Sequence, residues 1–472
     1  MDNRRKQLAG NTAILLIGKL CTQFINFFML PLYTAILAPE EYGIVDLFNT
    51  YVTLLLPLVN FKMDLGLFRF MLDVRQDKKK QSQLVSSVLI HNCRNAAIYI
   101  IVFFIVQNYI QSQYKIFLLL HVILNIFSST LLQFARGLGH NIAYSFASFL
   151  CAFTTVILNV LFIAVFRIGA VGMFWSVVGG QVITIIYLTI SQKMLKIFSF
   201  KLYDKKLVKE VTKYSLPLVP SNLSWWVISA SDRTIISSFI NVAANGIYSV
   251  ASKFSSVINT IYGVFNMAWT ETVSLHIDDE DGSTFLSDMI NEMYNLFFSL
   301  CIVVLAIMPY AFSFIVNDKY KAAYELIPIL VIAIFAQIVC GLFSVIFIAK
   351  KNTNENAKTA IFAAIINVVI NIVFIKRIGL YAAALSTLVA YSAMAVYRYF
   401  SAQRYIKITL SIRNMLLSFV IAGIVIGNYY AGSKISQLLS FFITMFYIFV
   451  INKSTILGIL TQLQKRTHRK ER

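Results

Sequence analysis

Residues 213–254 read KYSLPLVPSNLSWWVISASDRTIISSFINVAANGIYSVASKF. One long apolar segment ends in a short polar turn around Asn241. A second begins at Gly246-Ile247. The two segments, about 214–240 and 246–274, are each long enough to cross a bilayer, which takes roughly 20 residues. Yet Arg233 and Lys253 stand inside them. A cation at bilayer depth costs at least about 2.5 kcal/mol on the insertion scale. A helix keeps such a residue only where it faces a watery cavity or a partner.

The same pattern recurs outward along the chain. Lys19 sits inside AILLIGKLCTQFINFFMLPLYTAIL (13–37), and Arg94 interrupts an apolar run from Val85 to Val106. Acidic residues are largely missing from these places. Several cation-bearing spans in one chain imply a cavity that accepts an anion.

Composition agrees with a membrane protein. The 472 residues are 58% hydrophobic and 14% aromatic, and only 13% are charged, against about 25% in a soluble domain. The five cysteines (Cys21, Cys93, Cys151, Cys301 and Cys340) all lie in apolar stretches, with no CxxC pair. They read as free thiols without a metal or redox role, and no cofactor is expected. The first apolar segment is too long for a signal-peptide core and lacks a small-residue cleavage site, so it should remain as the first span.

Fourteen apolar segments can be counted, near 11–37, 44–66, 84–107, 116–135, 142–166, 171–191, 214–240, 246–274, 291–315, 324–349, 357–375, 379–400, 412–430 and 435–452. Membrane β-strands would be about 10 residues long and alternating, which these are not. The expected class is an all-α polytopic membrane protein. Placing the N-terminus in the cytoplasm puts 29 of the 41 Lys and Arg on the cytoplasmic side and 7 outside, with Lys19, Lys62, Arg94, Arg233 and Lys253 within spans. This asymmetry obeys the positive-inside rule. It also accounts for much of the net charge of +20, as loops held against an anionic inner leaflet. No nucleic-acid partner is expected for the basic tail QKRTHRKER. One cytoplasmic loop, HIDDEDGSTFLSD (276–288), is acidic instead, and nothing in the sequence explains it.

The chain carries an internal repeat. LAPEEYGIVDL (37–47) and INVAANGIYSV (240–250) place Gly43-Ile44 and Gly246-Ile247 just after a short outer turn, 203 residues apart. ILNVLFIAVFRIGAVG (157–172) resembles INVVINIVFIKRIGLYAAA (366–384), each with Arg-Ile-Gly. Spans one to six therefore look like a copy of spans seven to twelve, and thirteen and fourteen are additions. Six is an even number, so the copies insert the same way up, as a parallel repeat about an axis normal to the membrane. The substrate site is expected between the lobes. The expected organisation is an N-lobe over 1–191, a cytoplasmic amphipathic linker over 192–213, a C-lobe over 214–400, and two further helices with a basic tail over 401–472.

On these residues the chain resembles the polysaccharide-type flippases, relatives of the multidrug and toxin extruders and of the lipid II flippase. The Leu-Pro-Leu-Val-Pro entry (216–220), the Asp232-Arg233 pair and the Gly-Ile-Tyr turn carry the match. So do PEEYGIVDLF and the paired asparagines Asn367 and Asn371 with Ile378-Gly379. The resemblance covers essentially the whole chain. It implies a flippase in the bacterial cytoplasmic (inner) membrane, both termini cytoplasmic. It would move undecaprenyl-pyrophosphate-linked oligosaccharide from the inner to the outer leaflet by alternating access, for O-antigen, capsule or exopolysaccharide. The implied partners are the lipid-linked oligosaccharide, the bilayer and a polysaccharide polymerase. A lipid II-type flippase and a multidrug cation antiporter are the alternatives on the same fold.

Polar stripes nominate the lumen. Helix 1 carries Thr12, Lys19, Gln23 and Asn26 on one face, helix 2 carries Asn49, Thr53, Asn60 and Asp64, helix 7 carries Asn222, Ser229 and Arg233, and helix 8 carries Ser249, Lys253, Ser256 and Thr260. Lys19, Gln23, Asn26, Arg94, Arg233 and Lys253 are the substrate-binding candidates. Asp64, Asp232 and Glu271 are the ion-coupling candidates. A lone Ser or Thr is better read as an interhelical hydrogen bond. Lys62, near the inner end of helix 2, has a stem long enough to snorkel. His121 reads as interfacial, and His91 as a relay member without support. A cation exporter would want an acidic or apolar lumen, which the cation excess disfavours. An enzyme would need a catalytic loop or domain, and no GxSxG, HExxH, Walker loop or metal-spaced cluster occurs.

Overall fold

The computed structural model describes residues 27–110, 112–350 and 352–453. Lys19, Gln23 and Asn26, with most of the first span and the basic tail, lie outside the described residues. So do the side chains of Ser229 and Glu271.

Among the described residues the chain is helical. In order come α1 (Leu30–Ile36), α2 (Pro39–Asn60), α3 (Met63–Asp73), α4 (Lys78–Val106), α5 (Lys115–Gly137), α6 (Asn141–Asn159), α7 (Gly169–Ser191), α8 (Met194–Ile197) and α9 (Lys205–Ser215). Then follow α10 (Leu218–Phe239), α11 (Val242–His276), α12 (Gly282–Ile315), α13 (Ala323–Ala349), α14 (Thr353–Ile378), α15 (Leu380–Ala402), α16 (Ile412–Ala431) and α17 (Lys434–Ile451). Eleven of the described helices are long and apolar enough to cross a membrane. They match eleven of the fourteen expected spans. Spans seven and eight correspond to α10 and α11, of 22 and 35 residues. Their Ser, Asn and charged residues leave them less apolar than the rest.

The chain divides into two compact units, Met1–Gly246 and Ile247–Arg472. This division differs from the expected boundary at 192–213, and the reason is packing. The expected linker is fastened to the first unit. Ser199 N–H donates to Ser86 Oγ (3.1 Å), and Asp204 N–H donates to Ser87 Oγ (2.9 Å). The Asp204 carboxylate accepts from Gln83 Nε2 (3.1 Å) and caps α9 through the N–H groups of Lys206 and Leu207. Val208 and Val211 of α9 join Met63, Leu67, Met71, Leu84, Val85, Val88 and Phe134 in one buried cluster. The lysines of α9 stay exposed. Helix α9 is thus amphipathic, with its apolar stripe spent on α3 and α4.

The Arg-Ile-Gly triplets share a glycine of positive φ but differ at the arginine, which is left-handed at Arg167 (φ 54°) and helical at Arg377, in the last turn of α14. Gly169 and Gly379 have φ of +61° and +58°, a left-handed turn that glycine adopts without steric penalty. Each starts a helix, α7 and α15. Ahead of the first triplet, Val160–Val165 continues α6 as a π-turn. In the second unit, α14 and α15 are joined side by side, with Asn367 Nδ2 donating to Ser386 Oγ (3.3 Å) and Thr387 Oγ1 (3.2 Å).

Candidate functional site

Helix α2 is the element around which the polar side chains of the first unit gather. Its N-terminus is set by Pro39 at the first turn and by Glu41, whose carboxylate accepts from the Ala38 N–H at 3.0 Å. This single bond, half of a capping box, satisfies a donor that the helix cannot.

On the face towards α10, Arg233 Nε donates to Asp46 Oδ2 at 2.8 Å, with side chains 19% and 14% exposed. One turn further in, Trp226 Nε1 donates to the Thr50 carbonyl at 2.9 Å. Nearer the outer end, Asn245 Nδ2 donates to the Gly43 carbonyl at 2.9 Å. The guanidinium of Arg233 thus already faces a carboxylate. Asp46 was in plain view within PEEYGIVDL, but only the fold brings it opposite Arg233. Beside this pair, Asp232 is 3% exposed.

The inner end of α2 departs from the expected stripe. Thr53 is exposed, whereas Asn60 has no exposed surface and Asp64 has 7%. The cause is a break. Phe61 and Lys62 both take left-handed φ values, 49° and 56°, so α2 stops at Asn60 and α3 restarts at Met63. The helical phase is reset, and a single stripe from Asn49 to Asp64 does not survive. Across the break Asn60 Nδ2 donates to Asp64 Oδ1 at 3.2 Å. Asn95 of α4, which sequence reasoning passed over, donates from Nδ2 to the Val59 carbonyl at 3.1 Å. Below it on α4, Asn92 Nδ2 donates to Thr130 Oγ1 at 2.9 Å.

Arg94 lies on a different face from these asparagines. It is exposed, one side of α4 with Ile98, Ile101 and Ile105, which are 53%, 62% and 69% exposed. Its Nη2 meets His91 Nδ1 at 2.9 Å. Lys253 is half-buried in α11, in the second unit.

The second unit has its own buried polar cluster. Arg398, counted among the cytoplasmic-side charges in the sequence, is only 5% exposed within α15. It donates from Nε to Thr359 Oγ1 (2.9 Å) and from Nη1 to the Cys340 carbonyl (3.1 Å). It thereby ties α15 to α13 and α14. Close by, Tyr262 Oη donates to Asn266 Oδ1 at 2.9 Å. Among the described residues no group of three or more His, Cys, Asp and Glu could hold a metal ion.

The fold is similar to that of MATE transporters and of the lipid II flippase MurJ. An inward-facing multidrug-resistance MATE family transporter superposes with a TM-score of 0.69 at 12% identity, covering 82% of this chain and 97% of that one. The lipid II flippase MurJ in an inward closed conformation superposes with 0.67 at 14% identity, covering 94% and 99%. A Vibrio cholerae MATE transporter gives 0.56 at 14%, covering 88% and 98%. The chain belongs to the polysaccharide biosynthesis protein family, whose model matches residues 8–270. No curated protein sequence matches it.

Proposed function

We propose that this protein moves a lipid-linked oligosaccharide, carried on undecaprenyl pyrophosphate, from the inner to the outer leaflet of the bacterial cytoplasmic membrane. The product would feed polysaccharide assembly such as O-antigen, capsule or exopolysaccharide. The observation that carries this reading is that a member of the polysaccharide biosynthesis protein family places Lys19, Arg94, Arg233 and Lys253 inside its spans. Lys19, Arg94, Arg233 and Lys253 supply positive charge at span depth for a pyrophosphate, and Gln23 and Asn26 supply amides for sugar hydroxyls. The prenyl tail stays in lipid. The protein performs no covalent chemistry, and alternating access moves the head group. Asp64, Asp232 and Glu271 are the acids available for ion coupling. Polymerisation outside consumes the product, so a polysaccharide polymerase is the natural partner.

A multidrug cation antiporter is the second reading, since MATE transporters share the fold. The match to the polysaccharide biosynthesis protein family favours the first reading over it. A lipid II flippase would use the same anion-accepting lumen.

The direct test is reconstitution. Proteoliposomes loaded with a fluorescent undecaprenyl-pyrophosphate oligosaccharide should expose it to an external glycosidase only when the protein is present. Equal exposure with and without protein rejects the reading, and export of an organic cation instead selects the antiporter. Both termini should be cytoplasmic, so a phosphatase fused at Arg472 should be inactive, and activity there rejects the topology.

A further inference from the structure

The two copies of the repeat diverge around a pocket at the start of α2. It encloses about 670 Å³ and is lined by Ala35 and Ile36 of α1, Glu41 of α2, and Ala164, Arg167 and Ile168 of the connection from α6 to α7. That volume falls within the range of small-molecule sites. The connection is irregular. The π-turn over Val160–Val165 brings the Phe166 N–H to the Leu161 carbonyl (2.9 Å) and the Ile168 N–H to the Phe162 carbonyl (3.0 Å). Arg167 is left-handed, with φ 54°. π-turns and left-handed residues other than glycine both gather at functional positions. In the second copy α14 runs as α-helix through Arg377 to Ile378. Ala244 stands there at the place of Glu41, two residues before the Gly-Ile pair. Among the described residues the second copy has neither the acid, the left-handed arginine nor the π-turn.

Glu41 and Arg167 line the same pocket unpaired. Among the described residues neither enters an ion pair. The Glu41 carboxylate accepts from the Ala38 N–H (3.0 Å) and the Ala170 N–H (3.4 Å), which hold it between the starts of α2 and α7. Gly169 makes room for it, since a Cβ there would overlap its Oε1. An ionised carboxylate keeps acceptor capacity beyond two such bonds. Arg167 is exposed, and no acid lies within ion-pair distance of its guanidinium.

The pocket lies where spans end. Pro39–Asn60 and Gly169–Ser191 begin at it, and Asn141–Val165 stops at it. This is the level of lipid headgroups. Val165 and Phe166 beside it are 64% and 58% exposed, an apolar surface that fits acyl chains. A lone anion would meet Arg167 but set its charge against Glu41, and a lone cation would do the reverse. A group that carries both charges a short distance apart satisfies both residues. We propose that this pocket binds a phospholipid with a zwitterionic, amine-bearing headgroup, of the phosphatidylethanolamine class. Its phosphate meets Arg167, whose planar guanidinium matches phosphate oxygens. Its ammonium donates to Glu41, and its chains run along the apolar wall. Such binding is independent of the cargo proposed above.

Native mass spectrometry can read it on the full-length protein. The protein in detergent is offered phosphatidylethanolamine, phosphatidylcholine and phosphatidylglycerol in equal amounts, and the lipid retained is counted. Phosphatidylethanolamine should be retained severalfold above the other two, because choline has no N–H to donate and phosphatidylglycerol has no cation. Arg167→Gln should lower that retention severalfold, whereas Arg377→Gln, the counterpart in the second copy, should leave it unchanged. Glu41→Gln should bring the ethanolamine and choline lipids level. Equal retention of the three lipids overturns the proposal. So does a preference untouched by Arg167→Gln, or an equal loss in Arg377→Gln. If Glu41→Gln does not yield folded protein, the lipid comparison and the two arginine variants decide alone. Water-soluble glycerophosphoethanolamine serves as the competitor without chains. If it displaces the lipid at equal concentration, the occupant is a soluble headgroup, which also overturns the proposal.

Discussion

Gly43 and Gly246 lie back to back, and each is closed off by the same neighbour of the other. A Cβ on Gly43 would overlap the carbonyl oxygen of Val242, four residues before Gly246. A Cβ on Gly246 would overlap that of Pro39, four residues before Gly43. The partner glycine's backbone nitrogen lies 2.8 Å from the imagined Cβ of Gly43 and 3.1 Å from that of Gly246. The contact is reciprocal, as two equivalent segments meeting about a local two-fold axis require. It joins the two Gly-Ile turns that the sequence repeat had paired. Because the obstacle is backbone, neither side can yield by a rotamer change. Gly43→Ala and Gly246→Ala should each lower stability by about 1–3 kcal/mol, and by similar amounts. Thermal unfolding in detergent checks both the size and the equality.

The Asp46–Arg233 pair makes a separate forecast. Removing one member leaves the other charge in a mostly buried place, whereas removing both leaves none. Asp46→Ala or Arg233→Ala alone should cost about 1–3 kcal/mol, less than for a fully buried pair. The double variant should be more stable than the worse single one. A double-mutant cycle on folded yield and unfolding midpoint reads this. If Arg233→Ala abolishes flipping at normal stability while Asp46→Ala does not, Arg233 acts on the cargo directly.

Arg398 should be a structural keystone of the second unit. Arg398→Met keeps the stem and drops the donors to Thr359 and the Cys340 carbonyl. Leaving those buried acceptors unmatched should cost about 2–4 kcal/mol. Arg398→Lys, a point charge without the planar fork, should recover part of it. Fluorescence-detected gel filtration after a heat step would rank the three proteins.

Asp77 caps α4 by accepting from the N–H groups of Lys79 and Lys80, both at 3.1 Å. Those bonds, the Lys80 N–H first, hold its carboxyl below the ordinary aspartate range. A lowered value in the folded protein means stabilisation present above the unfolded value and lost as pH falls through the folded one. Asp77→Ala should therefore unfold more easily than the wild type at neutral pH. The gap should close as pH drops below the usual aspartate value, which paired unfolding curves across that range would reveal.

Much of this was legible beforehand. Segment length and hydropathy marked the helices, since each span must satisfy its own backbone in lipid. The paired Gly-Ile and Arg-Ile-Gly motifs announced the repeat, and the structure returns them as a reciprocal contact and as two glycines of positive φ. What escaped was long-range or irregular. No periodicity announces a break at Phe61-Lys62, because neither residue is a helix breaker by type, so the stripe drawn from Asn49 to Asp64 ran straight through it. Asp46 and Arg233 are 187 residues apart, and no local pattern pairs them. Arg398 looked like one more positive-inside charge because position along a span says nothing of which neighbours close over it.

The anchoring of residues 199–215 bears on how the gene can be cut. The peptide ahead of α10 is no slack tether. It carries a helix whose valines, cap and serine partners key it to α3 and α4. A polypeptide beginning just before Asp204 would bring its own docking plug to a separately made first half. Such a split protein, co-expressed as two fragments, should reassemble without a covalent bond between them.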